Sequence, residues 1–246
     1  MRLDKFLSHS GFGSRKEVKL LLKKKQVHVN NQVQTKGDFK ISTKEDEVTV
    51  LGKKVLYQKY IYLLLNKPQG VLSATEDSKQ KTVLDLIDET YSHRDLFPVG
   101  RLDKDTEGLL LLTNDGELTH FLLSPKRHVK KTYFAHIDGM MTEDDQEYFK
   151  KGITLEDGSL CLPGHLEILK KDETNNCSDV LITIEEGKFH QVKRMVLACE
   201  KEVVFLKRLS MGSLRLDETL QPGQYRPLTE KELTELQQFL PEGERQ

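Results

Sequence analysis

Apolar residues recur at two different spacings along this chain, and the spacing changes near residue 60. Over residues 1–10 the apolar positions Leu3, Phe6 and Leu7 fall three and four apart, the period of a helix with one buried face. Gly11 and Gly13 break that run. Ser14-Arg15-Lys16-Glu17 then carries the serine and glutamate of a capping box, predicting a second helix with Val18, Leu21 and Leu22 as its inner stripe. Val27-His28-Val29, an Asn30-Asn31 turn and Gln32-Val33 complete the pattern as a compact hairpin.

Strand patterns dominate after that. Residues 61–65 form an apolar run expected as a buried strand, Asn66-Lys67-Pro68-Gln69-Gly70 has turn chemistry, and 71–74 is expected as a return strand. Residues 82–87 suit one or two helical turns. Residues 109–113 predict another buried strand, and 117–123 a short helix with Leu118, Phe121 and Leu122 inward. Residues 131–137 alternate, with Tyr133, Ala135 and Ile137 on one face. Thr142, an acidic first turn, closing lysines and Gly152 frame a helix over 142–151. A hairpin is expected about Asp157-Gly158, strands over 179–184 and 202–206, a helix over 191–200 and a capped terminal helix from Thr229. Strands linked mostly to strands favour an α+β class with a largely antiparallel sheet and flanking helices. The pattern divides the chain into a small αα-β-hairpin domain, 1–58, and a larger domain, 59–246.

The overall charge of −1 hides an asymmetry. Residues 1–59 hold 14 basic against 6 acidic side chains, a balance of +8, and the rest of the chain carries −9. A basic head on an acidic body is expected to meet a polyanion, although a lysine-rich solvated helix face gives the same pattern. Arg15, Lys19 and Lys23 recur every four residues, away from the apolar stripe. Apolar runs such as 109–112 are too short to cross a bilayer, and the amino terminus lacks the apolar stretch of a secretory signal. Cys161, Cys177 and Cys199 are odd in number and outside metal-ligand spacing, so reduced thiols in the cytoplasm are expected.

The head, RLDKFLSHSGFGSRKEVKLLLKKKQVHVNNQ, resembles the S-four-type RNA-binding domain over roughly residues 1–50. That resemblance implies that Arg15, Lys16 and Lys19 contact RNA phosphates, which gives affinity and salt sensitivity rather than sequence choice.

The candidate chemistry lies in FPVGRLDKDTEGLLLLTNDG, residues 97–116, where a charged loop meets a buried strand. Asp103, Asp105, Glu107 and Gly108 match the first half of a calcium loop, but four leucines and Asn114 occupy its second half. Arg-Leu-Asp alone is uninformative, because it also occurs at 2–4 and 215–217. In its setting, the copy at 101–103 resembles the catalytic motif of the small-subunit ribosomal RNA pseudouridine synthases. Asn66-Lys67-Pro68-x-Gly70, Lys131-Thr132-Tyr133, the basic stretch 186–195, and Lys207-Arg208-Leu209 with Gly212 resemble further motifs of that family, in order.

The resemblance implies a pseudouridine-synthase fold and an isomerase that detaches uracil from its ribose and rejoins it through carbon five, with no cofactor and no metal. It makes Asp103 the carboxylate acting at the sugar, by covalent attack or by deprotonation. Arg101 would occupy the space of the flipped nucleotide or hold a phosphate, and Tyr133 would stack on the base. Lys193 aligns with the basic partner of the aspartate, where many relatives carry arginine. Its neighbour Arg194 is a candidate substrate contact, and only one of the two can share the aspartate's side of the helix. Leu209 would line the uracil pocket. The expected partner is ribosomal RNA or a ribosomal subunit assembly intermediate, met by a monomer with no membrane. The short carboxyl end past Leu240 favours the small subunit over the large. A non-catalytic ribosome-assembly factor and a metal-dependent nuclease remain as alternatives at this point.

Overall fold

A computed structural model describes residues 1–240, and the carboxyl end past Leu240 lies outside the described residues. Contacts divide the chain into two compact units, residues 1–61 together with 87–96, and residues 62–86 together with the chain from 97 onward.

In the first unit the expected helices form as α1 (Leu3–His9) and α2 (Arg15–Lys23). Glu17 N–H donates to the Ser14 hydroxyl and Ser14 N–H to the Glu17 carboxylate at 2.7 Å, so the capping box is complete. Asn30 and Asn31 turn the hairpin with left-handed φ of 49° and 64°, joining β1 (Val27–Val29) to β2 (Gln32–Val33). β3 (Val48–Val50) and β4 (Lys53–Lys54) extend the sheet in the order β2-β1-β3-β4. Leu3, Phe6, Leu7, Val18 and Leu22 pack with the valines of β1 and β3 into one core. The segment 87–96 joins this unit through Arg94, whose buried guanidinium donates to the carbonyls of His9 and Gln58.

The second unit is one nine-stranded sheet. Its strands are β5 (Tyr62–Lys67), β6 (Phe97–Pro98), β7 (Glu107–Thr113), β8 (Lys131–Asp138), β9 (His165–Asp172), β10 (Cys177–Ile184), β11 (Glu202–Met211), β12 (Leu214–Arg215) and β13 (Tyr225–Pro227). The main order is β13-β5-β7-β11-β8-β10-β9, with β6 beside β7 and β12 beside β11. Every pairing is antiparallel except β7 with β11. Around the sheet lie α3 (Gly116–Leu123), α4 (Glu143–Lys151), α5 (Gln191–Leu197) and α6 (Glu230–Gln237). The α+β class and the largely antiparallel sheet are as the pattern predicts. No helix among the described residues is long and apolar enough to cross a membrane.

Several local expectations change. Asn66 and Lys67 finish β5 as buried strand residues instead of opening a turn. Residues 71–74 make only a bridge, Leu72 to Thr82, and the hairpin about Asp157 reduces to a bridge between Thr154 and Leu160. Residues 82–87 give one 3-10 turn, Val83–Leu86. β9 escapes the sequence pattern because it is an edge strand with mostly exposed polar residues. β11 runs five residues beyond its apolar core, carried by pairing with β8.

The parallel contact matters most for the site. Gly108 sits opposite Arg208, with φ of +103°, and a Cβ there would lie 2.3 Å from the Arg208 carbonyl oxygen. Only glycine permits that approach, and it fixes where the loop preceding β7 meets β11.

Candidate active site

The loop joining β6 to β7 carries Arg101, Asp103 and Asp105, and two buried polar side chains hold it. Lys67, wholly buried at the end of β5, donates from Nζ to the carbonyls of Pro68 (3.0 Å), Asp103 (3.0 Å) and Thr106 (2.9 Å). Burial pushes its ammonium down to about 8. Ser73 Oγ donates to the Leu102 carbonyl at 2.8 Å and accepts from Leu102 N–H at 3.0 Å. A loop tied through its own backbone carries its side chains on a rigid frame.

Asp103 projects from that frame with its side chain about one-third exposed (31%). His190 Nε2 lies 3.5 Å from one carboxylate oxygen and Lys193 Nζ 3.6 Å from the other. Lys193 also grips Asp105, at 2.6 and 2.8 Å, which holds that carboxyl below the usual carboxylate range. Lys193 is therefore the basic residue on the aspartate's side. Arg194 turns away and pairs with Asp157 at 2.5 Å and Glu156 at 3.7 Å, so the structure does not bring it to the cavity as a substrate contact. The other two Arg-Leu-Asp copies are internally engaged: Asp4 pairs with Arg2, and Asp217 with Arg226. Among the described residues no cluster of three His, Cys, Asp or Glu side chains is arranged for a metal ion.

Asp103 opens onto a cavity of about 880 Å³, within the range of small-ligand sites. Arg101, Tyr133, Lys131, Arg208, His190 and Phe189 stand in its wall. Tyr133 and Lys131 come from the inner face of β8, and Arg208 lies directly across from Tyr133 on β11. Leu209 is not in this wall. The register shifts between Arg208 and Ser210, which makes Leu209 the extra residue of a bulge, and Leu206 lines the smaller recess beside Asp103 instead.

His190, Lys131 and Arg208 were not singled out as site residues by sequence reasoning, although each lies in a quoted motif. His190 caps α5 with φ of +48°, a backbone state no residue pattern announces, and stacks on Phe189 at 3.7 Å. In the first unit, Arg15, Lys16 and Lys19 are exposed on α2, and Arg15 shares an open cleft with Lys5, His9 and His93.

The Asp103 carboxylate, flanked by His190 and Lys193, shares an open cavity with the Tyr133 ring. The chain belongs to the RNA pseudouridylate synthase family: that family's model matches residues 61–198, and an S4 domain model matches residues 1–48. It is accordingly an isomerase.

A Bacillus subtilis RNA pseudouridine synthase is 51% identical over 233 residues, 95% of this chain and 97% of the relative. Ribosomal small subunit pseudouridine synthase A of Vibrio cholerae is 42% identical, covering 96% and 99% of the two chains. Ribosomal large subunit pseudouridine synthase B of Bacillus subtilis is 38% identical, covering 98% of each. A solved pseudouridylate synthase structure, 35% identical, covers 96% of this chain and 99% of its own, with a TM-score of 0.66.

Proposed function

We propose that this protein converts one uridine of small-subunit ribosomal RNA to pseudouridine, with Asp103 acting at the sugar. The observation that carries the reading is the Asp103 carboxylate between His190 and Lys193, facing Tyr133 across an open cavity. Both routes at the sugar, attack at C1′ or proton removal at C2′, use the carboxylate, and the Lys193 ammonium stands beside it. Lys193 supplies this charge while Asp105 fixes its position. Tyr133 lies against the base and Arg101, exposed at the rim, fills the place the uridine leaves on flipping. Similarity to the Vibrio small-subunit enzyme supports the choice of RNA. The protein works as a cytoplasmic monomer on ribosomal RNA or an assembly intermediate, in keeping with its free cysteines.

Mapping pseudouridine in both ribosomal RNAs, in cells with and without this protein, tests the substrate. One site should disappear from small-subunit RNA and return with the intact gene. Loss of a large-subunit site instead would move the assignment, and no loss in either would end it.

The basic domain, 1–58, is proposed as the electrostatic anchor and 59–246 as the catalytic part. Lys16 and Lys19 are exposed while Val18 and Leu22 are buried, so Lys16→Glu with Lys19→Glu leaves the core of this domain untouched. The double variant should weaken binding to long RNA and reduce the slope of log affinity against log salt by about 1.5, some 0.7–0.9 per lost phosphate contact. Equal slopes for wild type and variant would return those lysines to a solvated face.

A further inference from the structure

The cavity wall opposite the nucleotide-facing loop holds two buried cations that the reaction as described above does not use. Lys131 is 8% exposed and Arg208 is 2% exposed, and among the described residues neither forms an ion pair, the Glu185 and Glu186 charges acting on Lys131 only from farther off. Lys131 Nζ donates to the Val129 carbonyl at 3.1 Å, and Arg208 Nε to the Leu109 carbonyl at 2.8 Å. Arg208 Nη2 is buried with no partner at all. Both side chains line the cavity shared with Asp103 and Tyr133.

Lys67 shows what a buried cation looks like when its role is to hold the fold, because its ammonium is surrounded by backbone carbonyls. Arg208 lacks such a cage. A guanidinium cannot shed its proton, so burying it beside a second cation is costly unless an anion arrives. Lys131 records the same tension, since burial, reinforced by the Arg208 charge, pushes its ammonium down to about 8.

We infer that Lys131 and Arg208 form an anion subsite that stabilises uracil as it leaves the ribose. When the N1–C1′ bond breaks, its electron pair stays on the ring and spreads over N1, O2 and O4. Asp103 either bonds to C1′ as an ester or takes the proton from C2′, leaving a C1′=C2′ double bond. Reattachment forms the C5–C1′ bond as the Asp103 ester bond breaks, or as Asp103 returns the proton to C2′, and the proton lost from C5 balances the one gained at N1. Arg208 lies across the strand pair from Tyr133, the side chain assigned to the base, and lines the same cavity, so its unpartnered N–H is within the wall beside which that charge develops. Donors placed where charge appears only during reaction lower the barrier more than they improve binding.

This inference rests on the reading of the cavity as the uridine site. The test compares Arg208→Met and Lys131→Met with wild type on a short RNA carrying uridine or 5-fluorouridine at the target, under single-turnover conditions. Fluorine withdraws charge from the ring and makes the uracil a better leaving group unaided. Both variants should bind RNA within about threefold of wild type, yet break the uridine glycosidic bond about a hundredfold more slowly. On 5-fluorouridine the defect should shrink about tenfold, and Arg208→Lys should recover part of the uridine rate. An equal defect on both RNAs would overturn the inference. So would a defect that vanishes when the phosphates flanking the target are replaced by uncharged methylphosphonates, which would make the anion a phosphodiester. Arg208→Lys and Lys131→Met keep the question answerable should Arg208→Met fail to fold. If wild type leaves the uridine RNA unchanged, the uridine-site reading itself falls; if only the variants match wild type, this inference alone falls.

Discussion

Asp103→Asn should reduce pseudouridine formation at least about a thousandfold, some 4 kcal/mol of barrier, with folding and RNA affinity nearly unchanged. The amide has nearly the shape of the carboxylate but can neither attack the sugar nor take a proton from it. The fold tolerates the change because Asp103 is partly exposed and holds nothing in place with its side chain. The loop is fixed through the Asp103 carbonyl, which Lys67 still reaches, and Lys193 keeps its 2.6 Å pair with Asp105. Single-turnover isomerisation, read by chemical detection of pseudouridine in a defined RNA, gives the rate. More than about a tenth of wild-type turnover would remove Asp103 from the reaction.

Lys67→Met is expected to have the next largest effect, by a different route. Methionine has nearly the length of lysine, so the space stays filled, but three or more carbonyls lose the donor that wholly buried Lys67 supplies. Leaving them unpaired should cost about 3 kcal/mol or more, lowering the melting temperature of the larger unit by roughly 6–12 °C. The freed loop would let Asp103 drift, and a displacement near 1 Å is enough to lose about a hundredfold in rate. Lys104→Ala is the control, because Lys104 is exposed on the same loop, its side chain bonds the Gln80 side chain at 2.8 Å, and its carbonyl stays in place in the variant. That variant should stay within about 0.5 kcal/mol of wild type. Turnover within about threefold of wild type for Lys67→Met would mean the loop keeps its shape without the lysine.

Both expectations separate what is legible along the chain from what is not. The helices of the first unit, the alternating β8, the capping boxes at Ser14, Thr142 and Thr229, and the buried β7 follow from spacing and cap chemistry, which are local. Asp103 stands out for the same reason, being framed by glycines and followed by an apolar strand. Resemblance of motifs supplied the remaining candidates, and their order along the chain matched the order in the family.

Tertiary structure decided the rest. Lys193 and Arg194 are adjacent, so no pattern could choose between them; the choice follows from α5 facing the loop with one side and Asp157 with the other. Leu209 gave way to Leu206 because a bulge after Arg208 shifts the alternation that sequence reasoning assumes. Lys67 looked like a turn residue beside Pro68, and its role depends on carbonyls 36 to 39 residues away. Arg208 and Lys131 are two basic residues 77 positions apart in a chain rich in them. Only the antiparallel pairing of β8 with β11 buries both in one wall. The sequence by itself determined the periodicities, the caps and the candidate carboxylate, since these depend on neighbours a few residues apart. Which basic groups stand beside that carboxylate, and which lie buried in the wall with Tyr133, was settled by the placement of α5, strand register and burial, which depend on residues far apart in the chain.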